Sequence, residues 1–275
     1  MTEVLSLEHL AIASTGPTLS LSVPAGQLLG IFGQAASGKT HFLQVIAGVE
    51  KPSQGSVRIH ARIAAASSDG LSRRTKVQAL VPRGDLTPKG IRISDLLYLL
   101  RLGEVRHRAI SDLSPGQYAA CELFAPLTSD ADLVLIDGQL DQLDPWTLRE
   151  VLKVMHRMQA LGTTFVVATN RSDLLAHFDA VIVLREMQVR FAGSIEDLRR
   201  LGPTQTVQVS TERQQGVRAL ASPFQVSVTK TDDGFCFATP EGQELSAKLL
   251  LEGYGDVQFV VTRPSSLEEA LLSLL

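Results

Sequence analysis

Apolar and polar positions alternate through Val4–Ile12 and Thr18–Val23. This predicts two edge-type strands joined by a turn at Ser14-Thr15-Gly16-Pro17. Gln27–Phe32 is a short apolar run of strand type. Phe42-Leu43, Val45-Ile46 and Val49 then recur at helical spacing, with Gly48 as the stop. A Pro/Gly-punctuated turn at Glu50–Gly55 leads to a strand at Ser56–Ile59, whereas residues 61–79 are small, polar and basic and show no period. Ala79–Pro82 reads as a short buried strand, and Ile93–Leu102 as a leucine-rich helix capped by Ser94. A helix from Tyr118 to about Leu127, an apolar strand Asp132–Asp137, an amphipathic helix Trp146–Leu161 and a buried strand Thr163–Thr169 follow. The helix Ser172–Phe178, the strand Ala180–Leu184 and a hairpin at Glu186–Ala192 complete the first part. Strands alternating with helices predict an α/β fold on a mostly parallel sheet.

The pattern changes after residue 202. Thr206–Val209, Phe224–Thr229, Phe235–Thr239 and Val257–Thr262 read as strands, with a turn at Asp232-Asp233-Gly234. Glu244–Leu251 and Ser266–Leu275 read as helices. Two domains are therefore expected: residues 1–202, and a small α+β accessory domain over 203–275. A unit that small is marginal alone and is expected to pack on the main domain or on its copy in a dimer.

Composition narrows the class. With 44% hydrophobic and 20% charged residues and a net charge of −3, the chain reads as an ordinary globular protein. That charge gives no reason to expect nucleic acid or an anionic membrane surface as the main partner. Cys121 and Cys236 lack metal spacing and suit a reducing compartment as buried thiols. The first residues lack the pattern of a signal peptide, and no long apolar run predicts a bilayer span.

The candidate chemistry lies in Gly33–Thr40, GQAASGKT, which fits the phosphate-binding pattern G-x-x-x-x-G-K-[ST] between a predicted strand and a predicted helix. Gly33, Gln34, Ala35, Ala36, Ser37, Gly38, Lys39, Thr40 and His41 form the candidate cradle. Gly33 and Gly38 allow backbone conformations closed to other residues and bring N–H groups round an anion. Lys39 supplies positive charge to the β- and γ-phosphates, the Thr40 hydroxyl can ligate Mg²⁺, and the helix N-terminus adds its partial charge. Asp137, at the end of an apolar strand, is the second candidate metal ligand.

The order of motifs goes further. Gly33–Thr40, Leu113–Gln117 (LSPGQ), Asp132–Asp137 (DLVLID), Asp141–Asp144 and Thr169-Asn170 together resemble the ABC-transporter ATPase family over roughly residues 4–200. The resemblance implies a P-loop NTPase fold with ATP and Mg²⁺ as cofactors, and Asp137 holding the metal directly or through water. It further implies that Ser114, Gly116 and Gln117 belong to the signature, with Ser114 and Gly116 meeting the γ-phosphate of an opposite subunit. Asp141–Asp144 would line that dimer seam. A shortened helical subdomain is expected at about 84–127, with a basic patch Arg101-Arg106-His107-Arg108 that reads as a solvated face or a docking contact.

The departures from the family pattern matter as much. Gly138 stands where a water-activating Glu is usual, and Asn170 where the switch His is usual. Arg83 takes the usual Q-loop Gln position. The adenine-stacking aromatic near Ala13 or Ser14 is missing, Pro115 replaces a signature Gly, and Ala36 replaces a loop Gly. These imply a site that holds Mg-ATP but hydrolyses it weakly, since a lost general base costs roughly 10²–10⁴ in rate. Gln139 or Asp141 could serve as a substitute base.

The closing stretch Pro264–Leu275 (PSSLEEALLSLL) resembles the tail of ABC-2-type export ATPases. The resemblance implies a cytoplasmic subunit, peripheral on the inner face of the membrane. It would serve a separate multi-span permease as a homodimer or with a second ATPase, without inserting into the bilayer or binding nucleic acid. Alternatives are a non-hydrolysing nucleotide-sensing scaffold, a degenerate partner of a competent ATPase, and a soluble ATPase unrelated to membranes.

Overall fold

The computed structural model describes residues 2–13, 16–66, 72, 74–201, 205–211, 214–224, 226–231, 234–252, 259–264, 266–272 and 274. They fall into two compact units, 1–195 and 196–275.

The first unit holds two sheets. β1 (Glu3–Ala11), β2 (Leu19–Pro24) and, further on, β4 (Gln54–Ile59) form an antiparallel sheet ordered β2-β1-β4. β1, read as an edge, is therefore central, and the turn expected at 14–17 lies partly outside the described residues. β3 (Leu28–Phe32) leads into α1 (Lys39–Ile46). β5 (Ile63–Ala65), α2 (Ile93–Leu99), α3 (Pro115–Thr128), β6 (Leu133–Asp137), α4 (Pro145–Ala160), β7 (Thr164–Thr169), β8 (Ala180–Arg185) and β9 (Gln188–Ser194) follow.

The larger sheet runs β5-β6-β7-β3-β8-β9, parallel throughout except for the antiparallel β8–β9 pair. Every residue of β3 and β7 is buried, as expected of strands covered on both faces. This order places the C-terminal ends of β3, β6 and β7 side by side, where ligands bind in open α/β sheets. Gly30 in β3 lies against Phe178; an added Cβ would sit 2.4 Å from that ring.

Several local expectations are corrected. Ala79–Pro82 is no buried strand: Val77–Leu80 is a single 3₁₀ turn with only Val77 buried. Ala79 N–H donates to Lys76 C=O and Val81 N–H to Gln78 C=O, so the apolar letters belong to a local turn. Ser94 does not cap α2; Arg92 occupies that position, without a side-chain cap. α3 starts at Pro115 rather than Tyr118, because Ser114 and Gln117 form a reciprocal capping box and Pro115 takes the first helical position. The N–H that Pro115 lacks is one the first turn leaves unpaired anyway. The helix expected at Ser172–Phe178 is present as a 3₁₀ helix, Ser172–His177. β5 arises in the stretch without a period, since three residues, Ile63, Ala64 and Ala65, suffice to pair with Leu133, Val134 and Leu135.

The second unit contains α5 (Ile195–Leu201, starting at its border), β10 (Gln205–Ser210), α6 (Gln214–Ala221), β11 (Ser227–Thr231), β12 (Gly234–Thr239), α7 (Gly242–Glu252), β13 (Phe259–Pro264) and α8 (Leu267–Leu272). Its antiparallel sheet is ordered β11-β12-β10-β13. Val207, Val209, Phe235 and Phe237 pack with Val217, Leu245 and Leu249 in a core of its own. α5 and α6 had no counterpart in the sequence reading; Phe224–Thr229 overlaps β11 only in part. The Asp232-Asp233 part of the predicted turn lies outside the described residues. Cys121 is buried, and burial pushes its thiol up to about 12, whereas Cys236 is only half-buried.

Candidate functional site

The loop between β3 and α1 is closed by its own contacts. Ser37 N–H donates to Gln34 C=O at 3.2 Å, and Met187 N–H from the β8–β9 turn donates to Ser37 C=O at 3.0 Å. Gly38 caps α1 with φ 100°, the left-handed region that glycine enters without penalty. Gly33 is glycine for a different reason than expected. A Cβ there would lie 2.4 Å from Ser37 Oγ and 2.5 Å from Leu184 C=O, so close packing, not an unusual φ, requires it. Ala36 adopts φ 61°, so it bears the left-handed conformation that glycine would take freely, a larger burden than its size suggests.

Lys39 folds back over the loop. Its Nζ donates to Gly33 C=O at 2.7 Å and Gln34 C=O at 2.8 Å. Burial lowers its pKa, while the Asp141 and Asp137 carboxylates act in the opposite direction. Thr40, one residue on, lines a cavity of about 220 Å³ together with Ala65, Ala66, Leu135 and Asp137. The two candidate metal ligands thus share one space beside the cradle. A hydroxyl and a carboxylate are hard oxygen donors, the kind Mg²⁺ takes while keeping positions for phosphate and water. No cluster of three or more His, Cys, Asp or Glu that could hold a metal occurs among the described residues. His41 does not face the cradle; its ring pairs with Glu50.

Behind Asp137 the chain turns sharply. Gly138 has φ 81° and donates its N–H to Ala168 C=O at 3.1 Å. The Gln139 side chain is buried: Oε1 accepts from Asp137 N–H at 2.7 Å, and Nε2 donates to Ala66 C=O at 3.2 Å and Glu122 Oε2 at 3.3 Å. Asp141 is also engaged, accepting from the Thr169 hydroxyl and from Asn170 N–H. Neither candidate substitute base presents an unencumbered group. Sequence reasoning considered both residues without seeing these bonds, and it missed Glu122 altogether; its one signal is a carboxylate on the apolar face of a helix.

The signature residues gather elsewhere. Ser114, Gly116 and Gln117 line a cavity of about 470 Å³ with Arg101, Gln142 and Asp144. A Cβ on Gly116 would sit 3.0 Å from Gln142 C=O, which couples the signature to the segment after Asp137. Asp144 caps α4 by accepting from the N–H groups of Trp146 and Thr147. Arg83 is exposed and lies outside the Thr40–Asp137 cavity. Arg101 rests on the Trp146 ring at 5.4 Å.

The family model described as ABC transporter matches residues 17–140, the stretch that runs from β2 through the phosphate loop and the signature to Leu140. Residues 17–140 are thus similar to the ATP-binding part of that family. It is 29% identical over 191 residues to the methionine import ATP-binding protein MetN of Escherichia coli K12. It is 27% identical over 191 residues to MetN 1 of Salmonella typhi. In the first case the match covers 60% of this chain and 56% of the relative, so the chain spans about half the length of the curated relatives it matches. Among solved structures, an ATP-binding subunit of an ABC transporter superposes with a TM-score of 0.61 at 18% identity, covering 72% of this chain and 92% of that one. The ATP-binding cassette MJ0796, a dimer bound to ADP and Pi, gives 0.59 at 18%, covering 69% and 98%. A putative metal-chelate type ABC transporter gives 0.60 at 19%, covering 86% and 96%. These likenesses establish the ABC ATPase fold. No helix among the described residues is long and apolar enough to cross a membrane.

Proposed function

We propose that this chain is the ATP-binding subunit of a transport system whose membrane path is supplied by a separate permease. The observation that carries this reading is the shared cavity of Thr40 and Asp137 beside the Lys39 loop. Lys39 and the loop amides hold the phosphates, Thr40 and Asp137 hold Mg²⁺, and Ser114 and Gly116 complete the site of a second subunit. When bound, the metal offsets charge on the phosphate oxygens. Asn170 can donate an amide hydrogen to a γ-phosphate oxygen but cannot carry a proton. Gly138 supplies no base, Gln139 faces inward and Asp141 is bonded to the β7 end. Hydrolysis by this site is accordingly weak, and ATP-driven dimer closure is the main event. The protein sits on the cytoplasmic face of the membrane through its permease.

Direction of transport has two supports that disagree. The tail stretch Pro264–Leu275 favours an ABC-2-type export system, whereas the curated relatives are import proteins by name. We favour export, because the match to the import relatives covers only 60% of this chain. A second reading pairs this chain with a competent ATPase, whose site its LSPGQ helix would complete while its own site stays slow.

Equilibrium binding and steady-state turnover test the proposal together. Purified protein is expected to bind Mg-ATP, to lose that binding in Lys39→Ala, and to turn over slowly. Unchanged affinity in Lys39→Ala would remove the loop as the site. Brisk turnover by the unmodified protein, abolished by Lys39→Ala, would overturn the weak-hydrolysis reading. The permease that co-purifies from membranes, and the direction in which reconstituted vesicles move its substrate, decides between export and import.

A further inference from the structure

Gln139, two residues after Asp137, is buried, with 6% of its surface exposed. Its amide makes three hydrogen bonds in three directions: from Asp137 N–H, to Ala66 C=O and to Glu122 Oε2. Ala66 and Asp137 both line the cavity that holds Thr40. One side chain therefore ties two walls of that cavity together. The tie matters because β5 is short. Its ladder with β6 ends at the Ala65–Leu135 pair, and Ala66 N–H makes one further bond to Leu135 C=O at 2.8 Å. Beyond that point the Ala66 carbonyl is held by Gln139. From the other side Glu122, on α3, accepts one amide hydrogen and so sets which way the amide points.

We propose that Gln139 is a positioning residue for the Mg²⁺-bearing side of the site, with Glu122 orienting its amide. The inference rests on the proposed function only in placing Mg²⁺ at Thr40 and Asp137. An amide is the group that fits, since it offers one acceptor and two donors at once. A carboxylate at 139 would lose both donors and face Glu122 as a like charge. A methionine or leucine would fill the space and make none of the bonds. With the backbone of Asp137 and the Ala66 carbonyl released, Asp137 loses its fixed place in the cavity, while the Lys39 loop, to which Gln139 makes no hydrogen bond, keeps its own contacts. Partners that orient a metal ligand typically change metal affinity by roughly 10–100-fold.

The test separates metal-dependent from metal-independent nucleotide binding. A fluorescent ATP analogue is titrated with excess EDTA and then with increasing Mg²⁺, for the unmodified protein, Gln139→Leu, Glu122→Gln and Lys39→Ala. Gln139→Leu is expected to raise the Mg²⁺ concentration giving half of the metal-dependent gain by about tenfold or more, with affinity in EDTA within about twofold of the unmodified protein. Glu122→Gln, which keeps an acceptor for the amide, should stay within about twofold in both conditions. Gln139→Met, closer in length, carries the same test should the leucine variant fail to fold. Equal losses with and without Mg²⁺, or no loss, would overturn the positioning role. A large loss of Mg²⁺ response in Glu122→Gln would overturn the part assigned to Glu122. Undiminished binding by Lys39→Ala in EDTA would instead overturn the proposed function, so the two failures are distinct.

Discussion

The backbone N–H of Asn170 donates to Asp141 Oδ2 at 3.1 Å, and the other oxygen of the same carboxylate accepts from the Thr169 hydroxyl. The segment after β6 is thereby bound to the end of β7, and Asn170 is held by its backbone. Asp141→Ala leaves the buried Thr169 hydroxyl without this acceptor, at a cost of about 1–3 kcal/mol. Urea unfolding should show a lower midpoint with an unchanged slope, and Asp141→Asn, which keeps one acceptor, should fall between.

Gly138→Glu tests the proposed weak hydrolysis. Nothing lies within 4 Å of a Cβ at this position, so the side chain has room, but φ 81° is unfavourable for any residue with a Cβ. The strain costs about 1–2 kcal/mol. The variant should unfold at a lower temperature than the unmodified protein and yet turn over ATP faster. A folded variant that binds Mg-ATP without any gain in rate would place the defect elsewhere than at this position.

Glu122 gives a pH-dependent prediction. Burial raises its carboxyl pKa, and the hydrogen bond from Gln139 opposes this in smaller measure. A folded-state pKa above the unfolded one contributes stability that is complete below the unfolded value and is lost as pH rises through the folded value. Glu122→Gln removes that loss. Its stability relative to the unmodified protein should therefore improve from acid to neutral pH and level off above the raised pKa. Chemical denaturation at a series of pH values checks this; a difference constant with pH would show that the carboxyl does not titrate between the two states.

Ala36→Gly addresses the strain in the loop. The left-handed conformation at φ 61° costs an alanine about 1–2 kcal/mol, part of which glycine returns as extra freedom in the unfolded chain. A net gain of roughly 0.5–1 kcal/mol in unfolding free energy is expected from denaturant titration.

The parallel sheet, the phosphate loop and the strand ending in Asp137 were legible because each is written in contiguous residues: an apolar run, a glycine spacing, a terminal carboxylate. α4 was legible for the same reason, its apolar positions recurring at helical spacing. β5 was not, since IAA is too short to carry a period and exists by pairing with β6. Ala79–Pro82 misled because apolar letters without alternation fit a turn as well as a strand. Gly33 was recognised, but its reason lies in Ser37 and Leu184, which only the folded chain brings beside it. The inward course of Gln139 depends on Ala66 and Glu122, distant in sequence, and no local pattern announces it.

Lys39 was seen clasping the carbonyls of Gly33 and Gln34 at 2.7 and 2.8 Å. On the proposed function, admission of a triphosphate is consequently an exchange rather than a docking into an open bed: the ammonium must swap peptide oxygens for phosphate oxygens. Affinity would then reflect the difference between those two engagements. The same clasp gives the ammonium two acceptors within its own loop.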